Sequence, residues 1–234
     1  MRSKTLLLCT LLLAAAPALA EPSKGQLFEL GSHRGKLLFR EALTETVEGG
    51  QLKAIRRVFS YPDGREAVVD EATFEGGALK RYRLEQKQTG AQGALEVSGG
   101  QVRFSHTAAG KTKTAEESLT PDLVVAPTVV PYLQARWDVL LKGGEVKVRY
   151  ASLERRETVG FTFAKVSEKR VGDRDAMVVR MKPTSFIIAA LVDPLYFTFD
   201  TSNRRLLEVI GRTAPMIQVD GKWKDLDVEM VLEY

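Results

Sequence analysis

Over residues 145–150, Val146, Val148 and Tyr150 alternate with Glu145, Lys147 and Arg149. At the C-terminus Leu226, Val228, Met230, Leu232 and Tyr234 alternate with Asp227, Glu229, Val231 and Glu233. Successive side chains of an extended chain point to opposite faces, so a period of two writes one buried and one wet face into a strand. Such half-buried strands belong to antiparallel sheets, because parallel strands are covered on both sides. Shorter stretches repeat the pattern: Tyr82 and Leu84 between Arg81, Arg83 and Glu85, Val102 and Phe104 around Arg103, and Phe161 and Phe163 around Thr162. A slip of one residue would exchange the two faces. The parity therefore predicts Val228 and Met230 inside, with Asp227 and Glu229 outside.

Between these segments stand Gly49-Gly50, Asp63-Gly64, Gly76-Gly77, Gly99-Gly100, Gly143-Gly144 and Asp220-Gly221, pairs that tolerate the positive φ of tight hairpins. Strands joined by such turns pair with their sequence neighbours. The fold class that follows is mainly β: one large, curved antiparallel sheet, a half-barrel or open barrel of meander connectivity, with two short helices covering its concave face. Composition agrees, with 44% hydrophobic and 27% charged residues. No linker or low-complexity tract divides residues 21–234, which read as a single β-rich domain. Lys and Arg total 34 against 30 Asp and Glu, a net +4 that leaves no footprint for nucleic acid.

Two segments break the alternation. In residues 128–142, Val129, Leu133, Trp137, Leu140 and Leu141 recur at helical spacing, with Thr128 as a cap, Pro131 in the first turn and Gly143 as the stop. In residues 184–192, Thr184 and Ser185 precede seven apolar positions, which Asp193-Pro194 ends. A helix apolar on all sides must be covered, either as a plug in the mouth of the sheet or as one wall of an apolar ligand cavity. The next strand carries Leu195, Phe197 and Phe199 in alternation. The candidate ligand-binding residues are Trp137, Leu133, Phe186, Ile187, Ile188, Leu191, Phe197 and Phe199.

The first twenty residues read as a secretory signal peptide: Arg2 and Lys4, an apolar run over residues 6–16, and small residues ending in Ala20. Cleavage before Glu21 leaves 32 basic residues, 34 less Arg2 and Lys4, against 30 acidic ones. It also removes Cys9, the only cysteine, which sits inside the apolar run rather than after it, so lipid anchoring is not expected. Without disulfides the exported chain must rest on its core. No other stretch approaches the roughly 18 apolar residues of a membrane-spanning helix. The expected location is the periplasm, with the extracellular space as the alternative.

A signal peptide, a long antiparallel meander and short helices over its concave face together resemble the half-barrel lipid and lipoprotein binders of the Gram-negative envelope, the LolA and LolB carriers. The resemblance lies in the order of elements over most of residues 25–234, with no shared motif. It implies an apolar cavity for acyl chains beneath a helical lid, here residues 186–192.

His33 and His106 are the only histidines and stand in no metal or triad spacing. No nucleophile elbow, dinucleotide turn or phosphate loop occurs, so neither an enzyme nor a cofactor is expected, and a hydrolase has the weakest support of the readings. Paired carboxylates such as Glu116-Glu117 and Asp225 with Asp227 read as solvated strand faces. The doublets Arg56-Arg57, Arg155-Arg156 and Arg204-Arg205 read as outer faces or strand ends. The alternative for the last, with Arg212, is a site for an anionic headgroup: Arg204, Arg205 and Arg212. The expected function is a periplasmic binding or carrier protein for a lipid, acyl chain or other apolar small molecule. The alternative is an envelope scaffold that docks a protein partner without a small ligand.

Overall fold

The computed structural model describes residues 23–190 and 192–234. The segment expected to be a signal peptide, with Cys9, and Leu191 lie outside the described residues. Fifteen strands form one sheet: β1 (Ser23–Glu29), β2 (Leu37–Glu48), β3 (Gln51–Ser60), β4 (Glu66–Glu75), β5 (Ala78–Gln86), β6 (Ala91–Ser98), β7 (Gln101–Ala108), β8 (Lys111–Ser118), β9 (Leu123–Val124), β10 (Glu145–Ser152), β11 (Glu157–Val171), β12 (Arg174–Pro183), β13 (Leu195–Asp200), β14 (Leu206–Val219) and β15 (Lys222–Glu233). Three short helices accompany them, α1 (Val129–Gln134), α2 (Trp137–Leu141) and α3 (Phe186–Ala189).

The spatial order is β8 back to β1, then β15 back to β9. All neighbours pair antiparallel except β9 with β10, which is parallel. Two meanders are thus joined at one seam, where β1 pairs with β15 and Leu27 faces Met230. At the hairpins the glycine pairs do what their backbone freedom allows. Gly49 and Gly50 connect β2 to β3 with φ of 58° and 74°, the double positive φ that matches the twist of a two-residue hairpin. Gly143-Gly144 serves a different purpose. Gly143, at φ 80°, closes α2, its N–H reaching Leu140 O while that of Gly144 reaches Val139 O.

The sheet curls until its outer strands approach. The Glu117 carboxylate of β8 accepts from Thr158 N of β11 at 3.1 and 3.2 Å and from Thr158 Oγ1 at 2.7 Å. Arg149 donates to the same threonine from the other side, Nε to Oγ1 at 2.9 Å. A carboxylate, not a hydrogen-bond ladder, bridges the two outer regions of this open barrel.

The parity argument holds. Leu226 and Val228 are buried and Met230 is half-buried on the inner face, while Asp227 pairs with Arg212 and Glu229 with Arg34. Val124, Val129, Leu133, Trp137 and Leu140 pack with Phe163, Met177, Phe197 and Phe199, so α1 and α2 cover the concave face of the β10–β14 half. The Trp137 ring meets Phe199 edge-on at 5.8 Å, and Phe199 stacks on Phe197. The single helix expected over residues 128–142 is instead two, and Leu141 is exposed. At the break Arg136 donates from its guanidinium to Tyr132 O, while its backbone N–H turns to Leu133 O. The side chain thereby takes the carbonyl that a continuing helix would have used.

The other segment corrects a stronger expectation. Ser185 caps a single turn of helix as its sequence suggests, but Phe186 is 89% and Ile187 76% exposed. Apolar composition alone does not bury four residues beyond the end of a strand. Replacing both with serine should change stability by about 0.5 kcal/mol or less in chemical denaturation. A loss of several kcal/mol would restore the plug.

Candidate ligand cavity

The two halves of the sheet enclose a cavity of about 1410 Å³. Its apolar wall includes Leu43, Phe59, Leu84, Phe161, Met181, Leu195, Phe197, Met230 and Leu232, with Val129, Val130 and Pro131 of α1 on the helical side. The sheet residues come from inward positions of β2, β3, β5, β11–β13 and β15, so the period-two pattern that makes the sheet also paints the cavity. The volume exceeds the roughly 300–1,000 Å³ usual for small-molecule sites.

Set into this wall is a group of charges. Arg57 of β3 and Asp70 of β4 are directly paired in register, and the guanidinium grips the carboxylate with Nε–Oδ1 at 3.1 Å and Nη2–Oδ2 at 2.5 Å. Tyr82 of β5 donates its hydroxyl to Asp70 Oδ2 at 3.2 Å. Glu41 of β2, only 4% exposed, stands 3.7 Å from Arg57 Nη1 and has no hydrogen bond among the described residues. Tyr150 of β10 lines the same space. Burial pushes the Glu41 carboxyl upward, Asp70 adds to the rise, and Arg57 only partly counters it. Burial and Asp70 likewise raise the Tyr82 phenol. Burial alone would lower Arg57, but Asp70 and Glu41 outweigh it and hold the guanidinium above the ordinary arginine value.

The residues named from sequence are scattered relative to this cavity. Phe197 lines it. Trp137, Leu133 and Phe199 lie behind the wall in the core rather than on its surface. Phe186 and Ile187 face solvent and Ile188 is half-buried outside the lining, whereas Val192, from the same segment, does reach it. Arg204, Arg205 and Arg212 all border the cavity, but not as one cluster. Arg204 and Arg205 stand at the β13–β14 turn, over the rings of Trp137 and Tyr234. Arg212 is seven residues farther along, some 20 Å at strand rise, and is engaged by Asp225 and Asp227. His106 borders the cavity, while His33 sits in the β1–β2 loop. Among the described residues, no three His, Cys, Asp or Glu side chains are grouped so as to hold a metal ion.

The charged group carries a signal that sequence reading passed over. Arg40-Glu41, Arg56-Arg57 and Asp70-Glu71 are doublets in the interiors of three consecutive strands. Adjacent strand residues cannot both face water, so one charge of each pair must point inward. The reading of Arg56-Arg57 as an outer face is corrected for Arg57 on that ground. Arg155-Arg156, in the β10–β11 turn, is partly exposed as expected.

No family model matches the chain, and comparison with curated proteins finds no match. Among solved structures it is similar to the crystal structure described as a beta-barrel-like protein of domain of unknown function DUF1849 from Brucella abortus. The identity is 10%, over 91% of this chain and 95% of that one, with a TM-score of 0.48. At that distance the likeness carries nothing about function. Among the described residues, no helix is long and apolar enough to cross a membrane.

Proposed function

We propose that this protein binds or carries an apolar molecule, a lipid or an acyl chain, inside the curved sheet beneath α1. The observation that carries the reading is the cavity of about 1410 Å³ with aliphatic and aromatic side chains on both halves of its wall. The lid differs from the one sought in residues 186–192, since α1 supplies the helical side. An exported, periplasmic carrier without catalytic activity is the form this proposal takes, resting on the first twenty residues. Fractionation and N-terminal sequencing test that part, with a chain retaining Met1 as the contrary result.

For the cavity itself, native mass spectrometry of the purified protein should find retained lipid, and a neutral fluorescent apolar probe should bind. Leu84→Trp, which places bulk at the lining, should weaken the probe by about ten-fold or more while costing about 1–3 kcal/mol of stability. A well-folded protein that takes up neither lipid nor probe would leave the scaffold reading. One observation already favours that second reading: Phe186 and Ile187 stand exposed beside the barrel, as a docking point for an envelope partner would.

A further inference from the structure

Within the group on β2, β3 and β4 the charges do not balance. Two carboxylates, Glu41 and Asp70, face one guanidinium, Arg57. Asp70 takes Nε and Nη2 of that guanidinium in a two-pronged grip, so its charge is spent. Glu41 is left with a contact at 3.7 Å, nine-tenths buried, at the surface of the cavity. Its oxygens open onto the cavity, so the donors they need must come from water or from a bound molecule. Its position is built: Gly25 of β1 has no side chain there, and a Cβ on it would come within 3.0 Å of Glu41 Oε2.

Resting on the reading of the cavity as an apolar binding site, we infer that the polar end of the bound molecule is a protonated amine, seated on Glu41 beside Arg57, Asp70 and Tyr82. An ammonium supplies the missing positive charge and the donors that Glu41 lacks. The phenol rings of Tyr82 and Tyr150 add polarisable faces suited to a cation. A fatty carboxylate fits poorly, because it would bring a third acid to a site whose one cation is engaged. The arginines at the β13–β14 turn would suit that anion instead, but one stacks on Trp137 and the other on Tyr234, outside this group.

The ionisation of Glu41 gives the inference its sign. Facing it are Arg57 from β3, Asp70 from β4 and Tyr234 after β15; Tyr82 of β5 and Tyr150 of β10 stand by Asp70 and Arg57, and Glu45 lies farther along its own strand. An amine needs Glu41 charged, whereas a neutral alcohol is best served by the protonated acid. Burial raises Glu41, so amine affinity climbs as pH rises through that raised range and then levels.

The test is displacement of a neutral fluorescent apolar probe from the purified protein by decylamine, decanol and decanoate, between about pH 5 and about pH 8. At the upper end decylamine should bind about ten-fold more tightly than either analogue, and its advantage should shrink toward the acid end. Glu41→Gln should abolish the amine preference and its pH dependence, while undiminished binding of the neutral probe to the apolar wall shows that the variant is folded. Should that variant fail to fold, the wild-type pH profile decides alone. Decanoate binding as tightly as decylamine, an amine affinity flat or falling with pH, or a preference surviving in Glu41→Gln would each overturn the inference. Failure of the neutral probe itself to bind wild-type protein is a separate result, and overturns the cavity reading beneath it.

Discussion

Arg57→Met should destabilise the protein by about 3–5 kcal/mol, because it strands buried carboxylates that this guanidinium alone neutralises. Asp70 is 1% exposed and would keep only the Tyr82 hydroxyl, while Glu41 would lose its one ion pair. Chemical denaturation at neutral pH measures the loss, and lowering the pH should recover part of it by protonating Glu41, whose carboxyl burial already pushes upward. The double variant Arg57→Met with Asp70→Leu should recover most of it, since an apolar pair in place of a buried ion pair is often neutral or better. If Arg57→Met alone were nearly silent, water must reach the group freely, and Asp70 would not be buried as described.

Phe199→Ala should cost a comparable amount, about 3–5 kcal/mol, for the opposite reason: it opens a void where none exists. The ring is fully buried, stacked on Phe197 and met edge-on by Trp137. In a domain of this size that loss lowers the thermal midpoint by roughly 10 °C. Phe197→Ala should cost clearly less, because its ring borders the cavity, so truncation widens an existing opening instead of creating a closed void. Equal losses at the two positions would mean that the cavity is filled or collapses in solution.

Sheet, parity and hairpins were legible in the sequence because they are local. Alternation needs only neighbours two apart, and Gly49-Gly50 states its turn within two residues. The helix over residues 128–142 was legible in its buried positions Val129, Leu133, Trp137 and Leu140, and misread only where Arg136 caps its own preceding turn. The cavity wall was less accessible. Phe186 and Ile187 look like core by composition, yet whether an apolar turn is covered depends on what the rest of the chain places above it. Arg57, Asp70 and Glu41 lie on three strands, and their meeting depends on a register that no single strand encodes. Their doublets nonetheless announced inward charges, and counting parity across Arg56-Arg57 would have found the first of them.

The seam between β1 and β15 has a kinetic meaning. Within each meander nearly every strand closes on its immediate neighbour, so most pairings form over loops of a few residues. The pairing of Lys24 with Glu233 must instead bring together segments from opposite ends of the described chain. During synthesis, β1 emerges early and presents one open edge until β15 arrives. That edge invites pairing with a second chain in the interval. Assembly is therefore gated by its last strand, and slowing that strand's delivery should raise aggregation without changing the stability of the finished fold.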